Sequence, residues 1–503
     1  MDRKRHGLHY TPPALAAFVA ARALAAAPDR PLRVLDPACG DGELLAAVAA
    51  LAPGASLTGY DLDERAVATA QARLPTAAIA HKDFLESPPP ERFDLVVTNP
   101  PYVRTQLLGD RAAELAKRFG LRGRVDLAHP FVSVAPGLLD EGGVLALLCS
   151  NRFLSTRAGE NVRTVLTRDL SLREVFDLGD TKLFSAAVLP AVVIAVKGPS
   201  AGPARYATAY TTDRLGVAGN LFTALQADED SVVSLQGKNY AVSVGEMRDW
   251  RLSTPERDGR RARIAARTWR TVGDVAKIRV GIKTTADSVF IADWDAVPEP
   301  PEAELLRPLL SHTDLQAWTP PTPTLRVLYP YLDRPTRQVV DLADHPRAAA
   351  YLETHRPRLE AREYLRKAGR AWFEIWVPHR PTLWREPKVV FPDISPGPRF
   401  TLDRTGAVVN GDCYWISVAD TGEDIAHLIL GVANSTFGLR FYDDVCGNRL
   451  YAGRRRWITQ YVARLPLPDP ESPAGRRIIT AARTLMAGGE ADLDAVVEAA
   501  FAG

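Results

Sequence analysis

Residues 93–103 read FDLVVTNPPYV and join a strand pattern to an unusual loop. Leu95, Val96 and Val97 form a short, apolar, β-branched run, which is typical of a buried parallel strand. A polar tetrapeptide, residues 99–102, follows at once. We therefore expect it at the carboxyl end of the strand, where open α/β sheets bind their ligands.

Pro100 and Pro101 make this loop stiff. Each proline fixes its own φ, removes an N–H and biases the residue before it towards extended geometry. The loop can therefore hold the Asn99 amide, the Pro100 carbonyl and the Tyr102 ring in one arrangement, which suits a site that grips a planar group carrying an exocyclic amine. The alternative is an ordinary loop with these residues by chance, which average proline frequencies make rare.

The composition is that of a soluble globular protein with more than one core. The chain has 503 residues, of which 46% are hydrophobic and 24% charged, and its formal net charge is +2. Two or three domains are expected at this length, and any nucleic-acid surface must come from local clustering of cations. The N-terminus lacks an apolar leader pattern and no segment offers about 18 apolar residues in a row, so we expect neither export nor membrane spanning. The four cysteines are far apart, which argues for a reducing compartment and against disulfides or bound zinc.

A strand–turn–helix pattern lies upstream, where residues 33–42 read RVLDPACGDG. A strand, a turn with two glycines and a helical run from Glu43 form the first unit of a dinucleotide-type fold. The turn carries Asp36 and Asp41, which would repel a pyrophosphate and attract a cation. A ligand with an ammonium group and an adenosine part fits this turn better.

Two further strand patterns also end in acids. Asp61 lies about 20 residues after the glycine turn, where an acid accepts hydrogen bonds from ribose hydroxyls. Asp83 and Phe84 follow the next strand pattern and could hydrogen-bond an adenine amine and pack against its face. Each acid alone is as readily a helix cap or a solvated turn, but acids at three successive strand ends before Asn99 favour one common site.

The segment Tyr10, Thr11, Pro12 precedes a helical pattern that runs from Ala14 to about Ala26. Thr11 can cap that helix, with Pro12 and Pro13 at its first positions. Alone, this segment indicates only a helix start.

Together, these motifs resemble those of the class I S-adenosylmethionine-dependent methyltransferases, specifically the adenine-N6 DNA methyltransferases of the TaqI-like γ group. The resemblance implies an α/β architecture, with a Rossmann-like catalytic domain built on a mostly parallel twisted sheet. A mixed α+β target-recognition domain that binds DNA would follow. We expect a catalytic domain over residues 1–245, a target-recognition domain over residues 246–470 and a C-terminal helical extension over residues 471–503.

The resemblance also implies roles for single residues. Contacts to S-adenosylmethionine would come from Tyr10, Thr11, Pro12, Asp36, Ala38, Cys39, Gly40, Asp41, Asp61, Leu62, Asp83, Phe84, Asn99 and Pro101. The catalytic set would be Asn99, Pro100, Pro101, Tyr102 and Phe184, with Phe184 as the second aromatic side chain that packs the extruded base. An ordinary core phenylalanine is the alternative for Phe184. Glu43 departs from the smaller or aromatic residue that the family pattern predicts there.

Two more strand patterns follow in this half of the chain. Residues 175–178 and residues 191–196 read as strands that pair with each other. We expect the second of them to form the edge of the sheet.

The second half contains basic segments that suit a nucleic-acid surface. The arginine-rich run over residues 257–270, which includes Trp269, is equally consistent with a solvated helix face and with a phosphate-contacting strip. Residues 449–457 form a basic-aromatic patch suited to phosphates or guanine edges. The candidate DNA contacts are Arg267, Lys283, Arg449, Arg454, Arg455, Arg456 and Trp457.

The sequence therefore predicts transfer of a methyl group from S-adenosylmethionine to N6 of a flipped adenine in double-stranded DNA, in the cytoplasm at the nucleoid. A separate restriction endonuclease or other defence proteins are the expected partners, with neither metal nor membrane involved. A protein glutamine-N5 methyltransferase with the same Asn-Pro-Pro-Tyr loop, an RNA amine methyltransferase and a catalytically silent DNA-specificity subunit remain the alternatives.

Overall fold

The computed structural model describes residues 10–103, 105–109, 111–156, 158–184, 189–199, 202–446 and 454–502. The chain divides into two compact units, Met1–Asp258 and Gly259–Gly503. Residues 246–258, which the sequence analysis placed in the second domain, belong to the first unit. The reason is that the strand Lys238–Arg248 continues past residue 245 and pairs with the strand Arg251–Ser253.

The first unit is built on one large sheet. Its strands are β1 (Arg33–Asp36), β2 (Ser56–Asp61), β3 (Ala78–His81), β4 (Phe93–Thr98), β5 (Leu139–Ser150), β6 (Ser171–Asp177), β7 (Pro190–Val196), β8 (Arg205–Thr211), β9 (Val217–Ala218), β10 (Ser231–Leu235), β11 (Lys238–Arg248) and β12 (Arg251–Ser253). Their order in the sheet is β3-β2-β1-β4-β5-β7-β6-β8-β11-β10-β9, with β12 paired to β11.

Strands β1 to β5 are parallel to one another, and β7 is antiparallel to them. It lies between β5 and β6 and is antiparallel to both. The expectation that residues 191–196 form the sheet edge is therefore wrong. Every residue of β7 is buried, and the sheet continues through β6 into β8.

Helices cover the two faces of this sheet. They are α1 (Pro13–Ala26), α2 (Glu43–Leu51), α3 (Glu64–Arg73), α4 (Thr105–Leu108), α5 (Arg111–Arg118), α6 (Ala128–Leu138), α7 (Arg152–Ser155), α8 (Glu160–Arg168) and α9 (Leu221–Gln226). A further helix, α10 (Pro255–Arg267), begins in this unit and ends in the next.

The central strands are buried on both faces, as the apolar run in β4 predicts. All six residues of β4 are buried. Leu95 and Val97 pack into one apolar cluster with Leu15 of α1, whereas Val96 packs into a second cluster with Phe131 of α6. This alternation follows the two-residue period of a strand. The loop after β4 therefore follows a strand that is packed on both faces.

The second unit mixes small sheets with helices. Its strands are β13 (Arg270–Thr271), β14 (Arg279–Val280), β15 (Leu306–Leu310), β16 (Leu325–Leu328), β17 (Lys388–Pro392), β18 (Ile394–Ser395), β19 (Thr401–Asp403), β20 (Val408–Val409), β21 (Cys413–Ser417), β22 (Arg455–Arg456) and β23 (Pro466–Leu467). They pair in the orders β14-β21-β17-β19, β16-β15-β20, β13-β23 and β18-β22.

The α-helices of this unit are α11 (Val272–Val275), α12 (Asp287–Phe290), α13 (Pro346–Thr354), α14 (Arg356–Glu360), α15 (Glu363–Lys367), α16 (Val418–Thr421), α17 (Glu423–Asn434), α18 (Thr436–Cys446), α19 (Thr459–Val462), α20 (Pro473–Met486) and α21 (Leu493–Phe501). Short 3₁₀ helices span Ala303–Leu305, His312–Asp314, Leu342–Asp344 and Pro381–Arg385. No helix in the described ranges is long and apolar enough to span a membrane.

The two terminal helices share the core of the second unit. Phe501 of α21 stacks on Phe437 of α18 with ring centroids 4.3 Å apart, and Ile478 and Val497 are fully buried in the same cluster. Residues 471–503, which the sequence analysis set apart as an extension, are thus packed into this unit.

Candidate functional site

Three polar side chains lie at the carboxyl ends of neighbouring parallel strands. Asp36 ends β1, Asp61 ends β2, and Asn99 directly follows β4. Since β2, β1 and β4 are adjacent and parallel, their carboxyl ends share one edge of the sheet. The strand patterns in the sequence predict that these strand ends meet at one edge, and the sheet order confirms it.

The Asn99 side chain is held by hydrogen bonds at both ends of its amide. Its Nδ2 donates to Thr11 Oγ1 at 3.1 Å, and Tyr102 OH donates to its Oδ1 at 2.5 Å. The Tyr102 hydroxyl also lies 3.1 Å from the carbonyl oxygen of Leu148, in β5. The Asn99 amide oxygen therefore accepts a hydrogen bond from the Tyr102 hydroxyl. The sequence predicts that the same oxygen accepts one from the amine of a substrate.

Thr11 does not cap helix α1. Pro12 occupies the N-cap position, Pro13 begins the helix, and the helix start has no side-chain cap. Thr11 is instead 8% exposed and accepts the hydrogen bond from Asn99. Thr11 therefore orients the Asn99 side chain and does not stabilise the start of the helix.

The glycine turn after β1 is fixed by Asp61. Asp61 Oδ2 accepts from the Gly40 amide and Asp61 Oδ1 from the Asp63 amide, both at 2.8 Å. Gly40 and Gly42 have φ of +54° and +81°, a backbone region that glycine enters without the usual steric cost. Asp61 thus joins the ends of two strands, and the lone pairs that its carboxylate retains remain as acceptors.

The Asp36 carboxyl group is buried with half of its acceptor capacity unused. The side chain is 1% exposed, and its Oδ1 accepts from the Ala38 amide at 3.0 Å. Its Oδ2 is buried and has no hydrogen-bond partner among the described residues. Burial raises the pKa of Asp36 to about 8; the Ala38 amide opposes this rise and the charge of Asp61 adds to it. A cation beside Oδ2 would relieve the cost of burying this charge.

Tyr10 and Leu62 present apolar surface beside this turn. The Tyr10 side chain is 42% exposed, and a Cβ atom placed on Gly40 would lie 3.5 Å from its ring. Leu62, directly after Asp61, is 57% exposed. Exposed apolar side chains on either side of polar groups are a feature of small-molecule sites.

Cys39 is a packing residue in the glycine turn. It is buried, and a Cβ on Gly59 would approach its sulfur to 3.0 Å and Ile79 to 2.8 Å. Burial raises the pKa of the Cys39 thiol, so the group stays protonated and unreactive.

Phe84 lies deeper in the fold than a residue that contacts a ligand face. It is 2% exposed and stacks on Phe131, with ring centroids 5.6 Å apart and planes 19° from parallel. Asp83 is partly exposed; its Oδ1 accepts from the Leu85 amide at 2.9 Å, and its Oδ2 lies 3.6 Å from the guanidinium of Arg111. Asp83 can therefore meet a ligand at this edge, while Phe84 supports the wall behind it.

Glu43, which departs from the family pattern, is held by an ion pair. The Glu43 carboxylate forms an ion pair with Arg73 of α3, and Arg73 also lies 3.4 Å from Asp41. Glu43 and Asp41 are thereby tied to the surface of the next helix.

Phe184 is 6% exposed and belongs to the apolar cluster on the α1 face of the sheet. This is the core position that the sequence analysis kept as the alternative. Residues 185–188 lie outside the described residues, so the role of Phe184 at a base stays a prediction.

A buried polar network near this edge was not found from the sequence. Asn151 Nδ2 donates to Asp177 Oδ1 at 2.8 Å, and Tyr210 OH donates to Asp177 Oδ2 at 2.6 Å. Burial raises the pKa of Asp177 to about 6, against the effect of these hydrogen bonds. Asn151 directly follows β5 and Asp177 ends β6. The available signal was the one that singled out Asn99, a polar residue at the end of a buried strand.

Of the basic-aromatic patch predicted over residues 449–457, the structure describes residues 454–457, and these do not share one exposed surface. Trp457 is 1% exposed and its Nε1 donates to Ser395 at 2.7 Å. The Arg455 guanidinium donates two hydrogen bonds to the Asp443 carboxylate, at 2.7 and 2.9 Å. The more exposed Arg456 pairs with Asp393 at 3.0 Å, and Arg454 is exposed. Arg449 lies outside the described residues.

The other two candidate DNA contacts, Arg267 and Lys283, are both exposed. Neither forms an ion pair with another described residue. They remain available to an anionic ligand.

The residues at the sheet edge fit S-adenosylmethionine. The unpartnered, buried Asp36 oxygen suits its ammonium group, the spare lone pairs of Asp61 suit its ribose, and the exposed Leu62 suits the face of its adenine. The sheet order, with one reversed strand between β5 and β6, carries this site at the edge where such folds bind ligands. Fold and site together define a class I S-adenosylmethionine-dependent methyltransferase.

Comparison with known proteins agrees with this class. The family model of the Eco57I restriction-modification methylase matches residues 61–184. The type II methyltransferase M.BanIII of Aneurinibacillus aneurinilyticus is 36% identical over 542 residues, which cover 97% of this chain and 93% of that protein. The type II methyltransferase M.XhoI of Xanthomonas vasicola is 28% identical over 407 residues, which cover 78% of this chain and 71% of that protein.

A solved structure shares the fold over almost the whole chain. The type IIL restriction-modification enzyme MmeI, in complex with DNA, has a TM-score of 0.63 and 14% identity, over 98% of this chain and 73% of that chain. The chain therefore belongs to the type II restriction-modification methyltransferases. It is an S-adenosylmethionine-dependent DNA methyltransferase.

Proposed function

We propose that this enzyme methylates N6 of adenine in double-stranded DNA after the base has left the duplex. The observation that carries the proposal is the Asn99 amide, whose oxygen accepts from the hydroxyl of Tyr102 while its nitrogen is held by Thr11. An exocyclic amine that replaced this hydroxyl would donate to the same oxygen. The second amine hydrogen would go to the Pro100 carbonyl on the same stiff loop.

These contacts would activate a poor nucleophile. The lone pair of the adenine amine is delocalised into the ring, and two acceptors on its hydrogens draw the nitrogen towards a tetrahedral geometry. The contacts strengthen as positive charge develops on the nitrogen, so they stabilise the transition state more than the ground state. When bound, S-adenosylmethionine supplies the methyl group on a positively charged sulfur.

The Tyr102 ring would provide the stacking surface. Tyr102 packs against the apolar cluster of the α6 face and hydrogen-bonds to Asn99 and Leu148. Its hydroxyl must give way when a base enters, and stacking of the base on the ring would offset part of the cost of leaving the duplex. By family resemblance, Phe184 would pack the base from a second side.

The second unit would select the target sequence. It contains Arg267, Lys283 and Arg454, which are exposed and suited to phosphates. We therefore assign DNA recognition to this unit and chemistry to the first. The predicted partners are duplex DNA and a separate restriction endonuclease or defence protein, in the cytoplasm.

Single-molecule sequencing of plasmid DNA from cells that produce the enzyme, beside cells that produce Asn99→Ala, tests the proposal. We expect N6-methyladenine at one recurring motif with the wild type and none with the variant. Cytosine methylation at the motif would overturn the adenine assignment. No modified base in either sample, while S-adenosylmethionine binding is intact, would point to protein glutamine, RNA or a silent subunit.

A further inference from the structure

Two large aromatic side chains stand side by side on the surface of the second unit. Tyr364 and Trp376 are each 36% exposed, and their ring centroids lie 4.9 Å apart at an angle of 74°. The guanidinium of Arg370 lies 5.8 Å from the Trp376 ring centre and donates to the Trp376 carbonyl at 2.7 Å. Adjacent exposed aromatics held in a fixed geometry indicate a binding surface.

The backbone beside this pair is in an unfavourable conformation. Thr285 has φ of +59°, a region that β-branched residues rarely adopt. It is held there because Tyr364 OH donates to its Oγ1 at 2.5 Å and Arg362 donates to the carbonyl of the buried Thr284 at 2.8 Å. Such strain persists only where the surroundings enforce it, and it occurs mainly at functional sites.

The strained segment brings a cation to the aromatic pair. Lys283 forms an antiparallel bridge with Val377, the residue after Trp376, and its side chain is exposed. Arg366 is exposed as well, but it follows Tyr364 by two positions on the helix Glu363–Lys367 and therefore faces a different side. Neither cation pairs with an acid among the described residues, whereas nearby Lys367 is paired with Glu363 at 3.7 Å.

We propose that Lys283, Thr285, Tyr364 and Trp376 form a DNA-binding surface, here called the Trp376 surface. A cation without an ion-pair partner among the described residues, beside an edge-to-face pair of exposed aromatic rings, suits a ligand with phosphates and flat sugars or bases. Lys283 would bind a phosphate of the duplex, and the aromatic rings would pack against the adjoining sugars and base edges. This inference rests on the proposed action on DNA and adds the residues by which the second unit would contact it.

Binding of the full-length enzyme to a labelled duplex of mixed sequence, measured by fluorescence anisotropy at several salt concentrations, tests the surface. Each lost phosphate contact lowers the slope of log affinity against log salt by about 0.9. We therefore expect Lys283→Ala to reduce the slope by about 1. Lys238→Ala, which removes an exposed lysine of the first unit, is the matched control and should leave the slope unchanged.

The aromatic pair has a different signature. Tyr364→Ala with Trp376→Ala should weaken binding roughly tenfold with little change in slope, because stacking does not release counterions. Leu215→Ala, at a side chain that is 92% exposed, serves as the control for loss of exposed apolar surface. Unchanged S-adenosylmethionine binding would show that the first unit of the variants is intact, and unchanged urea unfolding would show the same for the second unit.

The outcomes separate the two proposals. Wild-type binding with variants that bind equally well at every salt concentration would overturn the Trp376 surface alone. A wild type that does not bind duplex DNA, or that prefers single-stranded RNA, would overturn both the surface and the action on DNA.

Discussion

Thr11 and Asn99 are 88 residues apart in sequence, yet the Asn99 amide nitrogen donates to the Thr11 hydroxyl oxygen at 3.1 Å. This contact fixes which end of the amide faces the Tyr102 hydroxyl. The short segment before α1 thereby controls the orientation of the proposed catalytic side chain.

Thr11→Val should lower kcat roughly tenfold, because it removes the hydrogen bond that orients the Asn99 amide, at a cost of about 1–2 kcal/mol. Thr11→Ser keeps the hydroxyl and should retain most activity. Steady-state methylation kinetics with both variants check this, together with calorimetry of S-adenosylmethionine binding. A loss of cofactor affinity equal to the loss of activity would show that Thr11 acts on the cofactor instead.

Tyr102→Phe keeps the ring and removes the hydroxyl that occupies Asn99 Oδ1. We expect kcat to change by less than about threefold, whereas Tyr102→Ala should lose about tenfold or more because base stacking is worth about 1–3 kcal/mol. Single-turnover methylation measures both effects. Equal losses in the two variants would mean that the hydroxyl takes part in turnover.

Cofactor binding should release a proton from Asp36. With a pKa of about 8, this carboxyl is protonated in the free enzyme at pH 6.5, and an ammonium group beside it would favour the charged form. Calorimetry in buffers of different ionisation enthalpy should show release of about one proton per S-adenosylmethionine at that pH. Asp36→Asn should release none. The same release by both proteins would assign the proton to another group.

Asp177 should make stability fall as pH rises. Burial raises the pKa of Asp177 from its ordinary value of 3.8 to about 6, so the folded state binds more protons than the unfolded state between these pH values. Its contribution is complete below pH 3.8, declines as pH rises through 6 and then stays constant, a change of about 3 kcal/mol. Thermal unfolding of wild type and Asp177→Asn from pH 4 to 7 checks this. Parallel profiles would exclude a raised pKa.

Trp457→Ala should destabilise the second unit, because the side chain is 1% exposed and packs on Phe400 and Tyr442. Loss of a buried aromatic ring costs about 3–5 kcal/mol. Arg454→Ala, three residues away and exposed, should change stability by less than about 0.5 kcal/mol. Urea unfolding measures both. A stable Trp457→Ala protein with weakened DNA binding would return Trp457 to the DNA surface.

The sequence predicted the positions of residues at strand ends, because a local pattern determines where each strand stops. Asp36, Asp61 and Asn99 come directly at the ends of parallel strands, so strand assignment alone brings them to one edge. The prediction that residues 191–196 form the sheet edge was wrong. The apolar pattern of β7 does not show how many neighbours the strand has, and its pairing with both β5 and β6 places it inside the sheet.

Burial of charged and aromatic residues in the second unit could not be predicted in this way. Arg455 and Trp457 face inward because Asp443 and Ser395 meet them from distant parts of the chain. Tyr364 and Trp376, by contrast, are exposed although aromatic residues of this size are usually buried. Both outcomes depend on tertiary contacts that no periodicity encodes.

The Tyr102 hydroxyl on Asn99 Oδ1 also sets a condition for discrimination among bases. A base that displaces the Tyr102 hydroxyl must itself donate a hydrogen bond to Asn99 Oδ1. The exocyclic amines of adenine and cytosine can do this. Guanine and thymine present a carbonyl oxygen at the equivalent position and would set two acceptors against each other, an unsatisfied pair that costs about 1–3 kcal/mol. By this pairing rule the loop would disfavour guanine and thymine at Asn99, independently of the sequence selection that we propose for the second unit.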